Sequence, residues 1–543
     1  MPANFLHGVE IVENTNGPVP ITVVKSSVIG LVGSAPRWAV PATNPAGIAA
    51  KETPTLVSSQ RDASMFGPLI RGYSIPYALN AIQQQGAGQA IVIDVFEPTL
   101  HNTAVASAPF TFPATGPQVI NLGHMGIVGP GLNSTTGPYP SSVVVKNQAG
   151  TTTYVENTDY TVDYINGLIT AKTGGAITAG EAVTVNYAYC DPSKVADSDL
   201  VGAVTNGVYT GIQALQTTYG TMGFFAKILI APAAGPAGAG IQSVGSDDPA
   251  VQAALLTMAA TIRAMALIDT APQTTPAQMI ANRGVSGNAW DTSSNRAILC
   301  GPWENFEDIG LNPTGVTISS AGAAVPAYLN ATEDSPYSPW VAGAMAAKDL
   351  AKGYWWSPSN TEITGVLGPD VMVYASPFDP NSDTNNLNAA GIVTVYGSYA
   401  TGLRVWGNRS AEYPSSTYPD NFIPIRRTMD VVEESAQLAM MQFLDRPLTS
   451  ATIDSIVASV NQFIRTLVGR GALIDGLCSY NAAENPVTQL AAGQLVLDIQ
   501  LMPPPPLERL TFNVTLNVNY LSELSASTSS NTQAQGALQQ PGA

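Results

Sequence analysis

An α/β (mixed α+β) core, interrupted by an inserted all-β sandwich or barrel domain and ending in extended N- and C-terminal arms, is the fold this sequence predicts. Three observations predict it. Short apolar runs such as Val28–Gly33 and Ala90–Val95 alternate with helix-patterned stretches, as expected for strands buried on both faces of a sheet. Between about residues 98 and 190, glycine, proline, threonine and tyrosine rise and helix formers nearly vanish. Near the end, two runs with period-two alternation, Gln494–Leu501 and Leu510–Asn519, are separated by Pro503, Pro504, Pro505 and Pro506.

Residues 1–25 read as an N-terminal arm: Phe5–Val12 is strand-like and Asn14–Pro20 is turn-rich. Residues 26–97 form the first part of the core, with the strand Val28–Gly33, a helix over Tyr77–Gln85 and the strand Ala90–Val95. In the β insertion, 98–190, short strands recur at Ser142–Lys146, Thr152–Val155, Tyr160–Tyr164, Leu168–Ala171 and Ala182–Tyr189. The α/β pattern resumes over 191–400. It gives helices at Tyr209–Thr218, Pro249–Met265 and Pro339–Leu350, with strands at Ala226–Ala231, Ala266–Asp269, Arg296–Cys300, Val371–Ser376 and Gly391–Tyr396. A C-terminal core domain spans 401–510. In it Met429–Leu444 carries an apolar stripe of Val432, Ala436, Met440 and Phe443, with Asp430, Glu433 and Glu434 in its first turns and Arg446 past its end, complementing the helix dipole. Thr449 or Ser450 caps a second helix, Ile453–Val468, ended by Gly469 and Gly471. Residues 511–543 are the C-terminal arm and a charge-free, Ser/Gln/Asn-rich tail expected to be disordered from about residue 525.

The chain has 543 residues, of which 45% are apolar and only 11% are charged. A typical soluble domain carries roughly 25% charged residues, so a large chain this poor in charge is expected to hide much of its surface against neighbours. The alternative is a secreted β protein with a Thr/Ser/Asn surface. The net charge of −17 argues against direct nucleic-acid binding and against anionic membrane surfaces. No apolar run is long enough to span a bilayer, and Met1–Phe5 has no signal-peptide pattern. Cys190, Cys300 and Cys478 fit neither a disulfide framework nor a zinc site, so synthesis in a reducing cytoplasm is expected.

Tests for chemistry come out negative. His7, His101 and His124 lie in no metal-ligand spacing and read as surface or satisfied core histidines. Asp379–Asn385 imitates the start of a calcium loop, but Thr384 replaces its glycine and Ala390 its glutamate, so an Asx-rich turn before a helix is the better reading. Gly86-Ala87-Gly88 precedes its strand, there is no phosphate loop, and Gly284–Asn288 lacks the nucleophile-elbow glycine. No enzyme, cofactor or metal is predicted.

The terminal strands carry the functional expectation. Proline lacks an N–H and has a fixed φ, so the four-proline spacer forbids a tight hairpin between the two runs. A strand held out on a stiff spacer is suited to pair with another chain, because an open sheet edge recruits strands by backbone hydrogen bonding. Leu495, Leu497, Ile499 and Leu501 mark the first run; Phe512, Val514, Leu516 and Val518 mark the second, and Gly8, Val9, Ile11 and Val12 a strand-like run at the other end. The local pattern equally allows both strands to fold back within their own subunit. Arg404, Arg409, Arg426 and Arg427 concentrate positive charge in an acidic chain. They read either as contacts to an acidic patch on another chain, or as intrachain partners of residues such as Asp430 and Glu433.

Several of these segments together resemble the contractile tail sheath proteins of myophage-type phages and related injection particles. Phe5–Glu10, Gly17–Ile21 and Ser27–Pro36 are similar to the sheath opening. Gly391–Val395 with Gly402–Arg409, and Phe422–Arg427 leading into the stripe helix, are similar to the sheath core. Asn485-Pro486, Gly493–Leu495 and the proline-spaced strand complete the match. Residues 98–190 and the extreme tail fit less well. The resemblance implies a structural protein of the virion, assembled in the host cytoplasm. It implies hexameric rings stacked as a helical sheath around a tail tube protein, bounded by baseplate and tail terminator proteins, and contraction that drives the tube through the bacterial envelope without nucleotide. It also implies that terminal arms pair with a neighbour's C-terminal sheet, so Leu495, Leu497, Ile499 and Leu501 are expected in an acceptor sheet, Phe512, Val514, Leu516 and Val518 on a donated arm, and Gly8, Val9, Ile11 and Val12 on the other. Arg404, Arg409, Arg426 and Arg427 are then candidate contacts to the tail tube or the adjacent ring. The sheath of a phage-derived bacteriocin or injection system is the alternative within this class. A surface-array or adhesin-like β protein is the more distant one.

Overall fold

A computed structural model describes residues 21–86, 88–135, 137–234, 244–398 and 402–522. The expected arm strand with Gly8, Val9, Ile11 and Val12, the Asn14–Pro20 turns and the tail beyond 522 lie outside the described residues. The chain divides into two units, Met1–Pro505 and Pro506–Ala543.

In the first unit, β1 (Ile29–Gly33), β2 (Thr55–Val57), helix α1 (Ser74–Gln84) and β3 (Ala90–Asp94) open the core. Six strands come next: β4 (Asn102–Thr111), β5 (Val119–Asn121), β6 (Val144–Asn147), β7 (Tyr160–Asp163), β8 (Leu168–Ala171) and β9 (Ala182–Cys190). They form two three-stranded antiparallel sheets, ordered 4-9-6 and 5-8-7. The core then resumes with β10 (Ile228–Ile230), α2 (Pro249–Ile262), β11 (Met265–Asp269), β12 (Ala297–Cys300), α3 (Ser338–Lys352), β13 (Thr361–Glu362), β14 (Ile392–Ser398) and β15 (Gly402–Trp406). Helices α4 (Ile423–Met440) and α5 (Ser450–Gly469) and strands β16 (Asp475–Ser479) and β17 (Asp498–Met502) complete it.

The central sheet has nine strands in the order 13-15-14-12-11-10-1-3-2. Strands 14, 12, 11, 10, 1 and 3 run parallel; β2 on one edge and β15 on the other run antiparallel to them, and β13 pairs antiparallel with β15. The sequence fits burial on both faces. Ile29, Leu31, Ile228, Ile230, Met265, Leu267, Ile298 and Val393 join α1 and α3 in one core. The intervening Val32, Leu229, Ala266, Ile268, Leu299 and Ile392 join α2 in another, continuous with the apolar residues of the two three-stranded sheets. Gly30 is required by this packing, since a Cβ there would sit 2.9 Å from Leu229 Cδ2. Helix α2 starts where the Asp248 carboxylate accepts from the N–H groups of Ala250 and Val251, with Pro249 at the first turn.

Several expectations are corrected. The expected helix Tyr209–Thr218 is a two-residue bridge followed by a 3₁₀ run, Gly211–Thr217, because Gly211 at φ +52° turns the chain into its first residue. Val371–Ser376 joins no ladder: Val371 and Val373 pack inward, but the Tyr374 N–H is taken by Asp383 Oδ2. Thr152–Val155 makes only an isolated bridge, Lys146 with Thr153. Strand β4 has no counterpart among the expected strands because it is alanine-rich, contains Pro109 and is broken by an irregularity between Val105 and Ala108. Helix α4 begins at Ile423, with Pro424 in its first turn, so Asp430, Glu433 and Glu434 lie too far along it to complement the dipole.

Those acids instead fasten α4 to the core. Glu434 pairs with Lys227, whose ammonium also donates to Ile262 O at 2.7 Å. Asp430 accepts both Nη atoms of Arg296 at 2.7 and 2.8 Å, and Arg426 at 2.9 Å. Glu433 meets Arg426 at 3.2 Å and Arg263 at 3.4 Å. Arg427 forks onto Asp349 of α3, with both side chains buried, and donates to Ser26 O. Removing one member of such a buried pair costs about 3–5 kcal/mol, because the remaining charge is left without a partner. Arg427→Met is therefore expected to lower unfolding free energy in urea by that amount, and the further change Asp349→Leu to restore most of it. Equal stability of the single and double variants would contradict this account.

A second group of acids titrates near neutrality. Asp269, at the end of β11, accepts from Ser338 N at 2.7 Å and Ser338 Oγ at 2.5 Å, at the start of α3, and from Ser246 Oγ at 3.1 Å. Burial nevertheless pushes its carboxyl up to about 7. The folded value lies above the unfolded one. The associated stability is therefore complete below the ordinary aspartate range and is lost as pH rises through about 7. Urea unfolding measured from about pH 5 to about pH 8 is expected to show a slope up to about 1.4 kcal/mol per pH unit shallower in Asp269→Asn than in the parent chain.

Candidate inter-subunit joint

The C-terminal module is built on helix α5. Thr449 caps it, its side chain accepting from Thr452 N, and Gly471 at φ +79° comes just after its end. Val460, Phe463, Ile464 and Leu467 form its buried face and join Leu473 and Cys478 in a small core. Leu497 and Leu501 pack on this core, as do Ile21 and Val23 from the start of the described chain. A Cβ at Gly476 would lie 2.7 Å from Leu501 Cδ2 and 3.0 Å from Ile464 Cγ2, so glycine lets helix and strands close together.

Strands β16 and β17 pair antiparallel, with Cys478 opposite Ile499 and Gly476 opposite Leu501. Their two outer edges differ. At the β16 edge, Asn461 of α5 acts as a substitute strand: its Oδ1 accepts the Cys478 N–H and its Nδ2 donates to Cys478 O, both at 2.8 Å. Because Cys478 turns its backbone outward, Ile499 opposite it must do the same, as must Leu501 two residues on. At that β17 edge, no strand among the described residues pairs with them. Asn485 similarly holds Val496, accepting its N–H at 2.8 Å and donating to its carbonyl at 2.9 Å, which fixes the chain just before β17.

The expected acceptor strand Gln494–Leu501 is thus shorter and later than its apolar alternation suggested. Residues 494–497 form no ladder, since Asn485 takes the Val496 backbone; Leu495 and Leu497 are half-buried and Ile499 is 43% exposed. The first described residues run onto this module. The Val24 N–H donates to Ser435 Oγ of α4, and Ser26 O accepts from Arg427, so the N-terminal segment enters along the same helix. The second unit begins four residues after β17. In it the expected strand Leu510–Asn519 joins no ladder among the described residues, and its end is a 3₁₀ turn, Val518–Tyr520. Phe512, Val514, Leu516 and Val518 are 62–90% exposed.

The four arginines are each engaged within the chain. Arg426 and Arg427 serve the α4 pairs described above. Arg404 donates to Asn360 O at 3.1 Å and lies 3.8 Å from Glu362; Arg409 donates to Asn421 Oδ1 and stacks between the Tyr413 and Phe422 rings. His101 is a buried residue whose Nδ1 accepts from Glu97 N and whose Nε2 faces Asp199; His124 stacks on Tyr189. Asp379–Asn385 leads into a short helix, Asp383–Ala389, capped by Ser382. Among the described residues no group of three or more His, Cys, Asp or Glu is placed to hold a metal. Sequence reading missed Asn461, and it noted Asn485 only as part of the sheath-like Asn485-Pro486 motif, not as the residue that holds Val496. The available signal was an asparagine beside Val460, Phe463 and Ile464, on the face that packs the sheet.

Comparison with known proteins gives a consistent assignment. A family profile described as phage tail sheath protein central domain matches residues 202–411, one described as phage tail sheath C-terminal domain matches 417–517, and a family of unknown function matches 124–197. The tail sheath protein of Burkholderia phage BcepMu is 41% identical over 527 residues, covering 96% of this chain and 99% of that protein. The tail sheath protein of Escherichia phage P2 is 27% identical over 335 residues, 62% of this chain and 74% of that one. Two solved structures share the fold at low identity. The contracted sheath of the extracellular contractile injection system PVC has TM-score 0.52 and 13% identity, covering 96% of this chain and all of that one. The contracted helical sheath of the anti-feeding prophage has TM-score 0.51 and 14% identity, covering 95% and 100%. With a match of this identity along nearly the whole length of a phage sheath, the chain belongs to the phage tail sheath protein family.

Proposed function

We propose that this chain polymerises as stacked hexameric rings around a tail tube protein, between baseplate and tail terminator proteins, and contracts to drive the tube through the bacterial envelope. The role is structural, without catalysis, cofactor or nucleotide. The segment 98–190, with its two three-stranded sheets, is read as an inserted β-sandwich domain. The divisions 1–25, 26–97, 191–400, 401–510 and 511–543 are read as arm, core, core, C-terminal domain and second arm.

The open edge of β17 is the observation that carries the assembly reading. A two-stranded sheet is marginal alone and gains from added strands. Here one edge is closed by Asn461 and the other presents Ile499 and Leu501. Each chain supplies candidates to extend such a sheet in a neighbour: Gly8, Val9, Ile11 and Val12, and the exposed alternation of Phe512, Val514, Leu516 and Val518. Backbone bonding would hold the mesh while side-chain packing rearranges. Burying each of these large apolar side chains contributes about 1.5–3 kcal/mol. Of the four arginines, Arg404 has the most exposed side chain among those in ion pairs and is the one retained as a tube or inter-ring contact.

Two variants separate joint from fold. Deleting residues 1–20 is expected to leave a folded monomer that forms no striated tubes in electron microscopy; tubes from the truncated chain would refute the arm reading. In Ile499→Pro the lost N–H is one that faces away from β16, so monomer stability is expected to fall by less than about 1 kcal/mol while tubes are lost. Gln500→Pro removes a bond to β16 and is expected to destabilise the monomer by about 3 kcal/mol or more.

A further inference from the structure

The C-terminal end of α3 and the adjoining sheet edge gather positive charge in a chain that is otherwise acidic. Lys348 and Lys352 are one turn apart on α3 and therefore share a face. Both ammonium groups lie 6.0 Å from the centroid of Trp356, whose ring is 48% exposed, and Leu350 between them is 63% exposed. Arg404 of β15 is near enough that its charge, with that of Lys352, adds to burial in holding the Lys348 ammonium below its ordinary range. The nearest compensation is Glu362, 3.8 Å from Arg404 with its side chain 59% exposed. Neither lysine forms an ion pair among the described residues.

Like charges held one turn apart are unfavourable in the isolated subunit. Most other strongly placed cations of this chain are spent inside it, on Asp94, Glu333, Glu434, Asp430 and Asp349. A tryptophan ringed by cations has the composition of an interface anchor rather than of ordinary surface. The surface that would relieve this repulsion is acidic, and a second copy, with 39 Asp and Glu against 22 Lys and Arg, offers one. The patch is also continuous with the joint: Trp355, next to Trp356, packs on the α5 core that carries β16 and β17.

The geometry points to Lys348, Lys352, Arg404 and Trp356 as a cationic docking patch that receives an acidic face of a second copy of this chain, beside the strand joint. This rests on the polymer reading only in requiring that copies assemble. Charge contacts of this kind steer encounter and fix register, and salt weakens them.

The test uses full-length chain, half of it labelled with nitrogen-15, assembled and treated with a zero-length carbodiimide cross-linker. Expected are heavy–light peptide pairs joining Lys348 or Lys352 to an Asp or Glu of another copy, and slower acetylation of both lysines in the polymer than in the monomer. The double variant Lys348→Glu/Lys352→Glu is expected to unfold at the same urea concentration as the parent but to need about tenfold more protein to assemble. Equal acetylation in polymer and monomer, or cross-links confined to one chain or to the tube protein of whole tails, would overturn the patch. A parent chain that forms no polymer would overturn the sheath reading together with the patch; polymer with unprotected lysines would remove the patch alone.

Discussion

The C-terminal module is tied to the central sheet by matched charges along α4. In a chain with only 11% charged residues, five of that helix's side chains are committed to ion pairs: Arg426, Arg427, Asp430, Glu433 and Glu434. Buried pairs add little net stability compared with apolar packing of the same volume, but a mismatched one is costly. An apolar helix face tolerates a shift of one turn with a modest loss. A row of two bases followed by three acids, facing Lys227, Arg296, Arg263 and Asp349, does not. The physical consequence is register: α4 has one way to sit, and α5, β16 and β17 inherit their orientation from it.

That fixed placement gives the two edges of the β16–β17 sheet their meaning. An open edge on a loosely attached module would pair indiscriminately. Asn461 takes up the outward backbone of Cys478 with the two bonds a strand residue would make, whereas Ile499 and Leu501 turn theirs to the other edge. The four prolines after Met502 have fixed φ and form no helix or ladder, so they end the module without extending its sheet.

The legible parts of the chain were those where burial writes a pattern. The parallel strands of the central sheet are apolar on both faces, so Ile29–Gly33, Ala90–Asp94 and Ala297–Cys300 stand out as short continuous runs bounded by turns. Helix α5 was legible from its cap at Thr449 and from Gly469 and Gly471 at its end. The failures have separate causes. Strand β4 hides Pro109 within alanines, the apolar run after Pro369 is extended without a ladder, and Pro424 masks the true start of α4. The acids of α4 look locally like partners of a helix dipole, because the cations that tie Asp430 and Glu434 to the core, Arg296 and Lys227, lie 134 and 207 residues away in sequence. In the joint the apolar alternation marked the right strand but set its start too early. What fixes that start is Asn485, a polar residue outside the alternation.

The distribution of charge finally bears on how one surface can serve two packings. Ion pairs and backbone ladders are directional and lose their energy within a fraction of an ångström or a few tens of degrees. Apolar and hydroxyl-rich contacts depend mainly on area and can be exchanged for others of similar size. In this chain the directional interactions are concentrated inside the subunit, along α4, at Asp94 with Arg37, and at Asn461. The surface is left largely uncharged. Copies in contact can then move from one arrangement to another without breaking pairs that must be desolvated again, while each subunit keeps its shape. Among the described residues, the β17 edge and the lysines beside Trp356 are directional groups left at the surface, and in our proposal they specify which neighbour is held.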